Sequence, residues 1–299
     1  MMTYILFYLV LYPLSYLPLP ILYFKGKLFY FIIAYIVKYR SAVIIQNLQR
    51  AFPEKSEEEI KAIQKRYYKH LSELAVEMIK MLSISKKDLM KRYHCSNPQL
   101  VDEYYDAEKS VILMSSHYNN WEWMVLSLDN QFKHHGVGIG APNSNKTFER
   151  LINKARTRYG NGVVFANTVR RDIELRENNQ IFSSYMMLCD QSPGNPDRSY
   201  KTYFFNQPSG VIFGAEHFAK KYDIPVLYYE VIKEKRGHYR IDVQLISDKP
   251  SETAHGEITE QYLRLLEKTI SVQPEYWLWS HKRWKHRITP EDIEIEKNN

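Results

Sequence analysis

Cysteine is nearly absent from this chain of 299 residues: Cys95 and Cys189 are the only two. That excludes a disulfide scaffold, and no metal-ligand spacing accompanies either one. A reducing, cytoplasm-facing compartment is the simplest setting. Glycine is scarce as well, with 11 residues, and neither a glycine-rich phosphate loop nor a dinucleotide fingerprint occurs. The single Gly-x-Gly, at Gly138 and Gly140, lacks the third glycine that would open a helix. Neither a nucleotide cofactor nor a metal is therefore expected. Internal repeats and low-complexity tracts are also missing, which excludes solenoids and disordered linkers.

Charge of either sign is missing from Met2 to Phe24, MTYILFYLVLYPLSYLPLPILYF. Roughly 20 apolar residues suffice to cross a bilayer, so this stretch is a membrane segment candidate. It has no basic start and no small-residue cleavage site, unlike a signal peptide. Pro13, Pro18 and Pro20 interrupt a regular helix, and both a kinked span and a re-entrant hairpin fit. Lys25, Lys27, Lys38 and Arg40 follow, and the positive-inside bias puts the remaining chain on the cytoplasmic side. The next apolar run, Leu28–Val37, is too short to span and reads as an interfacial segment. Elsewhere charge is plentiful, with a formal net charge of +7 that favours anionic partners. No nucleic-acid motif accompanies it, so nucleic acid is not expected as a partner.

From Ser56 a capping box, Ser56 and Glu59, precedes Ile60, Ile63, Tyr67, Leu71, Leu74, Met78 and Met81 at three- and four-residue steps, which predicts a long amphipathic helix. Beyond residue 108 the pattern changes to short apolar runs: Val111–Met114, Val137–Ala141, Val163–Ala166, Tyr185–Leu188, Val226–Val231 and Tyr239–Ile246. Helical stretches separate them. The alternation predicts an α/β fold, a central mainly parallel sheet flanked by helices, with active residues beyond the carboxyl ends of the strands.

His117 lies just past such an end, in SSHYNNWEWM (Ser115–Met124). A histidine there serves as general base if a carboxylate fixes its tautomer and offsets the imidazolium charge. Glu122 is the nearest carboxylate. Five residues apart on one helix the two would diverge by roughly 140°, so His117 belongs in the loop and Glu122 in the first helical turn, with Asn119 or Asn120 as the cap. A pair at this spacing equally suits a loop in which each side chain satisfies only local hydrogen bonds. Further along, Asp190 follows an apolar run. An ionised carboxylate there needs a partner, or else it caps the following SPGNPD turn.

His117, Asn120, Trp121 and Glu122 resemble the His-x-x-Asn-Trp-Glu form of the H-x4-D/E block of the lipid A late acyltransferases, within the lysophospholipid acyltransferase superfamily. NLQRAFPE (Asn47–Glu54), KARTRYG (Lys154–Gly160), CDQ (Cys189–Gln191), TYFFNQPSG (Thr202–Gly210) and PEYWLWSHKRWKHR (Pro274–Arg287) resemble further blocks of that family, in its order. Asn206 stands where the family has glycine, and Ser209–Gly210 also departs from its pattern; both are expected to shape a substrate pocket.

The resemblance implies a division into a membrane anchor with its interfacial segment, residues 1–40, and an acyltransferase domain, residues 41–299. It implies acyl transfer from an acyl carrier protein or coenzyme A thioester, with no other cofactor, to a hydroxyl of a lipid A precursor at the inner membrane. In that reaction His117 is the base, Glu122 orients it, and Arg156 serves the oxyanion, with Arg150 and Arg158 competing for that role. Asp190 positions Arg156. Asn120, Trp121, Gln191, Arg283, Trp284 and Lys285 are the substrate-binding candidates, the basic run His281–Arg287 meeting anionic headgroups. Other readings are a lysophospholipid, glycolipid or amino lipid acceptor, a thioester or ester hydrolase, and a non-catalytic binder of anionic lipids.

Overall fold

Consecutive apolar residues in the central strands, most completely Val111–Met114, bury both faces of one sheet. In a computed structural model, which describes residues 2–297, all six expected strands form, joined by a short strand at the edge and a separate hairpin. In chain order they are β1 (Tyr93–Cys95), β2 (Val111–Ser115), β3 (His135–Gly140), β4 (Gly162–Phe165), β5 (Ser183–Leu188), β6 (Tyr200–Phe204), β7 (Gln207–Val211), β8 (Val226–Lys235) and β9 (His238–Ser247). Seven of them build the main sheet in the order β1-β9-β8-β2-β5-β3-β4, while β6 and β7 pair as an antiparallel hairpin. All main-sheet pairs are parallel except β8 with β9, which a two-residue turn joins.

Side chains alternate across this sheet with period two. Ile112, Met114, Tyr185 and Met187 point into one core, and Val111, Leu113, Met186 and Leu227 into the other. Helices Ser41–Ala51, Gly214–Tyr222 and Glu257–Val272 cover the first face, and Trp121–Gln131 covers the second. The long helix, Glu57–Met81, has the expected capping box and contributes Ile60, Ile63 and Tyr67 to one core but Val76 and Met81 to the other. It therefore bridges the two layers.

The amino-terminal segment departs from the expected boundaries. The backbone breaks at Leu17–Pro18, where Pro18 is extended (φ −54°, ψ 141°) and removes a donor, and two helical segments result. Met2–Ser15 is short, whereas Leu19–Ile36 is long and apolar enough to cross a membrane. The Leu28–Val37 run is thus largely the continuation of that helix and not a separate element, because nothing after Pro20 interrupts the hydrogen-bond ladder. Tyr23 and Leu22 of this helix are buried against the rest of the fold, while Phe24, Leu28 and Phe31 face outward. In the expected division at residue 40, Met1, Asn298 and Asn299 lie outside the described residues.

Candidate active site

Strands β2 and β5 are adjacent and parallel, with Ser115 in register with Leu188. Two residues further along each chain stand His117 and Asp190, so sheet register alone brings these side chains to one crevice. His117 Nδ1 donates to Asp190 Oδ1 at 2.8 Å, and the His117 backbone N–H donates to Oδ2 at 3.0 Å. Trp277 Nε1 donates to the same Oδ2 at 2.8 Å. Burial alone would push the Asp190 carboxyl up; the His117 charge, its two N–H groups and the Trp277 N–H outweigh this and hold it below the usual carboxylate range. With Nδ1–H committed to a carboxylate, Nε2 presents its lone pair, and the Gln191 amide meets it at 3.2 Å. The edge of Trp121 lies against the ring, 5.4 Å between centroids.

Glu122 makes no hydrogen bond or ion pair with His117, which corrects the expected pairing. It sits in the first turn of the Trp121–Gln131 helix, 4% exposed, and accepts two hydrogen bonds from Arg156, at 2.8 Å from Nε and 2.6 Å from Nη2. The four ionisable groups are those expected, with partners exchanged: His117 with Asp190, Glu122 with Arg156. Chain geometry explains it, since Glu122 on its helix faces the Lys146–Arg156 helix across the second core. Burial opposes the Arg156 charge, but the Glu122 carboxylate more than compensates and keeps it cationic. Arg156 Nη1 also donates to Asn153, leaving one N–H each on Nη1 and Nη2 uncommitted. Its rivals are placed elsewhere. Arg158 donates to the Leu82 and Ile84 carbonyls, and Arg150 lies over the Tyr4 ring. Gly160, the last residue of that block, has φ +116°, and a Cβ there would meet Asp129 Oδ2 at 2.7 Å, so only glycine fits.

Asn120 is the helix cap, its Oδ1 accepting from Trp123 N at 2.9 Å. The rest of that amide is held by a residue that sequence reasoning missed. Glu77 of the long helix is fully buried and accepts from Asn120 Nδ2 (2.7 Å), Tyr23 Oη (2.6 Å) and Tyr239 Oη (2.7 Å). Burial pushes its carboxyl up, with these donors opposing. The signal was present: Glu77 falls on the apolar stripe between Leu74 and Met81, where a carboxylate must have buried donors.

The carboxy-terminal block closes the site from behind. Tyr118 bridges Trp277, Asn119 N donates to Tyr276 O, and the buried Asn47 of NLQRAFPE donates to the carbonyls of Trp279 (2.8 Å) and His281 (2.7 Å). His281 Nε2 accepts from Ser192 N, and burial lowers its pKa to about 4, with His117, Arg283 and Lys285 adding to the effect and Asp190 opposing it. Arg283 is not where a solvent-side phosphate can reach it: at 2% exposure it donates to Gly210 O and stacks on Phe204, and burial lowers its pKa to about 10. Its expected role as a headgroup contact is corrected accordingly; the polar run is amphipathic, and position 283 faces the core. Trp284, half-buried, donates to Ser209 Oγ, whereas Lys285 is exposed. Phe205 and Asn206 form the tight β6–β7 turn with φ near +50°, a conformation asparagine tolerates, and none of Asn206, Ser209 and Gly210 lines the cavity that reaches Trp121 and His281.

An apolar cavity of about 500 Å³ reaches Trp121 and His281 from between the long helix (Leu71, Leu74, Met78) and Phe29 and Ile33 of the Leu19–Ile36 helix. Cys189, 1% exposed with its thiol pushed well up by burial, is no nucleophile. Among the described residues no three His, Cys, Asp or Glu side chains gather as a metal site. In sequence, residues 1–286 match the model of the family described as bacterial lipid A biosynthesis acyltransferase. No curated protein matches the chain.

Proposed function

The chain belongs to the bacterial lipid A biosynthesis acyltransferase family, and on that premise we propose that it moves an acyl group from an acyl carrier protein thioester, or a coenzyme A thioester, to a hydroxyl of a lipid A precursor at the inner membrane. The observation that carries the chemistry is the 2.8 Å bond from His117 Nδ1 to the buried Asp190 carboxylate. It fixes the tautomer in which Nε2 is a base. The acceptor hydroxyl displaces the Gln191 amide at Nε2 and gives up its proton as its oxygen attacks the thioester carbonyl. A C–O bond forms and the carbonyl electrons move to oxygen. When the tetrahedral intermediate collapses, the C–S bond breaks and the departing sulfur takes the proton back from the imidazolium. Asp190 offsets the imidazolium charge in between, a role that the resemblance had given to Glu122.

Arg156 supplies the oxyanion donor through its two uncommitted N–H groups, with Glu122 as the positioning residue that holds the guanidinium. The donor's acyl chain occupies the apolar cavity, whose volume is ordinary for a ligand cleft. Leu19–Ile36 anchors the protein in the membrane, and the lysines after it favour a cytoplasmic catalytic face. The net charge of +7 suits an acidic carrier protein.

The test is acyl transfer from a labelled acyl-carrier thioester to a lipid A precursor in detergent micelles, with phospholipid and glycolipid acceptors alongside. Wild type acylates the precursor, and His117→Ala, still folded, loses roughly 100- to 10,000-fold. Thioester turnover that ignores the acceptor would mean a hydrolase instead, and turnover only with another lipid would move the reading to that acceptor.

A further inference from the structure

A second cavity, of about 400 Å³, lies on the other flank of the crossing between the Leu19–Ile36 helix and the long helix. The apolar cavity uses Leu71, Leu74, Ala75 and Met78; this one uses Lys65, Arg66, Lys69, Ser72 and Glu73. At 100° per residue these two sets fall on different faces of the long helix, so the helix itself separates the cavities. The wall of the second is mainly apolar, as in the first, and the difference lies in the exposed charges around it. Five cations, Lys27, Lys65, Arg66, Lys69 and Arg236, surround it against one carboxylate, Glu73, which Lys233 already neutralises at 2.7 Å. Arg66 pairs with Glu275 and Arg236 stacks on Tyr23, but Lys27, Lys65 and Lys69 have no carboxylate partner among the described residues. Such a concentration of uncompensated like charge raises the local potential and recruits an anion.

Position identifies the source of that anion. Lys27 stands on the helix that exposes Phe24 (71%) and Leu28 (66%), so the cavity it lines adjoins an apolar outer surface. Gly26 lets the two helices meet closely, since a Cβ there would lie 2.9 Å from Val76 Cγ2. Acyl tails that cover Phe24 and Leu28 would deliver a headgroup to the level of Lys27. We propose that this cavity binds the phosphate group of an anionic membrane lipid distinct from the reacting acceptor, fixing the anchor helix against the catalytic fold.

The inference is independent of the acyl-transfer chemistry, because binding is read without turnover. Equilibrium binding of fluorescent phosphatidic acid to the full chain in neutral-detergent micelles is measured for wild type and for Lys65→Ala/Lys69→Ala. Each cation near a membrane surface contributes roughly fivefold, so the double variant weakens binding about thirtyfold. Lys69→Arg retains wild-type affinity, and phosphatidylcholine binds far more weakly than phosphatidic acid. A remote pair, Lys249→Ala/Lys268→Ala, removes the same net charge from exposed positions and leaves the affinity within twofold. Equal weakening by the remote pair would overturn the site in favour of general attraction. Inorganic phosphate that binds as tightly as phosphatidic acid would overturn the lipid assignment. An unchanged affinity for phosphatidic acid in Lys65→Ala/Lys69→Ala, with a raised KM for the phosphorylated acceptor, would make the cavity part of the acceptor site and overturn the proposal. Circular dichroism and melting temperature verify that each variant is folded.

Discussion

Asp190→Asn and Glu122→Gln separate two carboxylates that the sequence alone presents as interchangeable partners for His117. Asp190 accepts three hydrogen bonds, from His117 N, His117 Nδ1 and Trp277 Nε1. An asparagine has one acceptor oxygen, and its amide would confront at least one of those N–H groups. The imidazole then turns to the tautomer with Nε2 protonated and loses its basicity toward the acceptor. In a Ser-His-Asp triad the same change costs about 10⁴ in kcat; here kcat falls by roughly 10³- to 10⁴-fold with KM nearly unchanged. Glu122→Gln leaves the His117 dyad intact and removes the charge that Arg156 faces. Breaking a fully buried pair costs about 3–5 kcal/mol, and with Arg156 still 29% exposed the loss is closer to ~2–3 kcal/mol. Its kcat falls less, by ~10- to 100-fold, as the oxyanion donor loosens. Steady-state acyl transfer at saturating donor, with urea unfolding of each variant, measures both effects. If Glu122→Gln abolishes turnover in a stably folded protein while Asp190→Asn stays within tenfold of wild type, Asp190 is not the group that orients His117.

Other outcomes follow from the same contacts. Glu77→Ala leaves three buried donors without an acceptor and lowers stability by about 3–5 kcal/mol in urea unfolding. Glu77→Gln keeps the acceptor for Asn120 and Tyr239; because the folded pKa of Glu77 is raised, the native carboxylate costs stability as pH rises, so the glutamine variant is at least as stable at pH 7. For His281 the folded pKa of about 4 lies below the unfolded value of ~6.5, so the unfolded chain binds more protons between them and stability falls as pH drops through that window. His281→Gln, which retains an acceptor for Ser192 N, flattens the midpoint-versus-pH curve there by less than one proton. Asn47→Ala frees the Trp279 and His281 carbonyls, destabilises the fold by about 2 kcal/mol and lowers kcat through Trp277, as melting and turnover together would reveal. Ala75→Leu narrows the apolar cavity, and competition between acyl donors shifts toward shorter chains.

Local pattern determined a great deal of this molecule. Short, largely apolar runs set β2, β3, β4, β5 and β8, because a parallel sheet covered on both faces leaves little room for polar alternation. By contrast β9, antiparallel to β8, alternates Tyr239, Ile241 and Val243 with Arg240, Asp242 and Gln244. Ser56 and Glu59 start the long helix and Asn120 starts the one that carries Glu122, since each cap is a contact within three residues. Even the crevice was implied, as His117 and Asp190 each follow a strand by two residues. Tertiary structure decided who pairs with whom. Four ionisable side chains from three separate segments have several satisfactory pairings on paper, and only the neighbour relation of β2 with β5 and the facing of two helices select His117–Asp190 and Glu122–Arg156. The break at Pro18 likewise moved the membrane-length helix to Leu19–Ile36, and burial turned Arg283 inward from a run that reads as uniformly basic. Glu77 and the cationic cavity depend on residues 23–30, 65–77 and 236–239 meeting in space. Spacing along a chain encodes contacts a few residues apart, but partners separated by tens or hundreds of residues are chosen by packing of the whole.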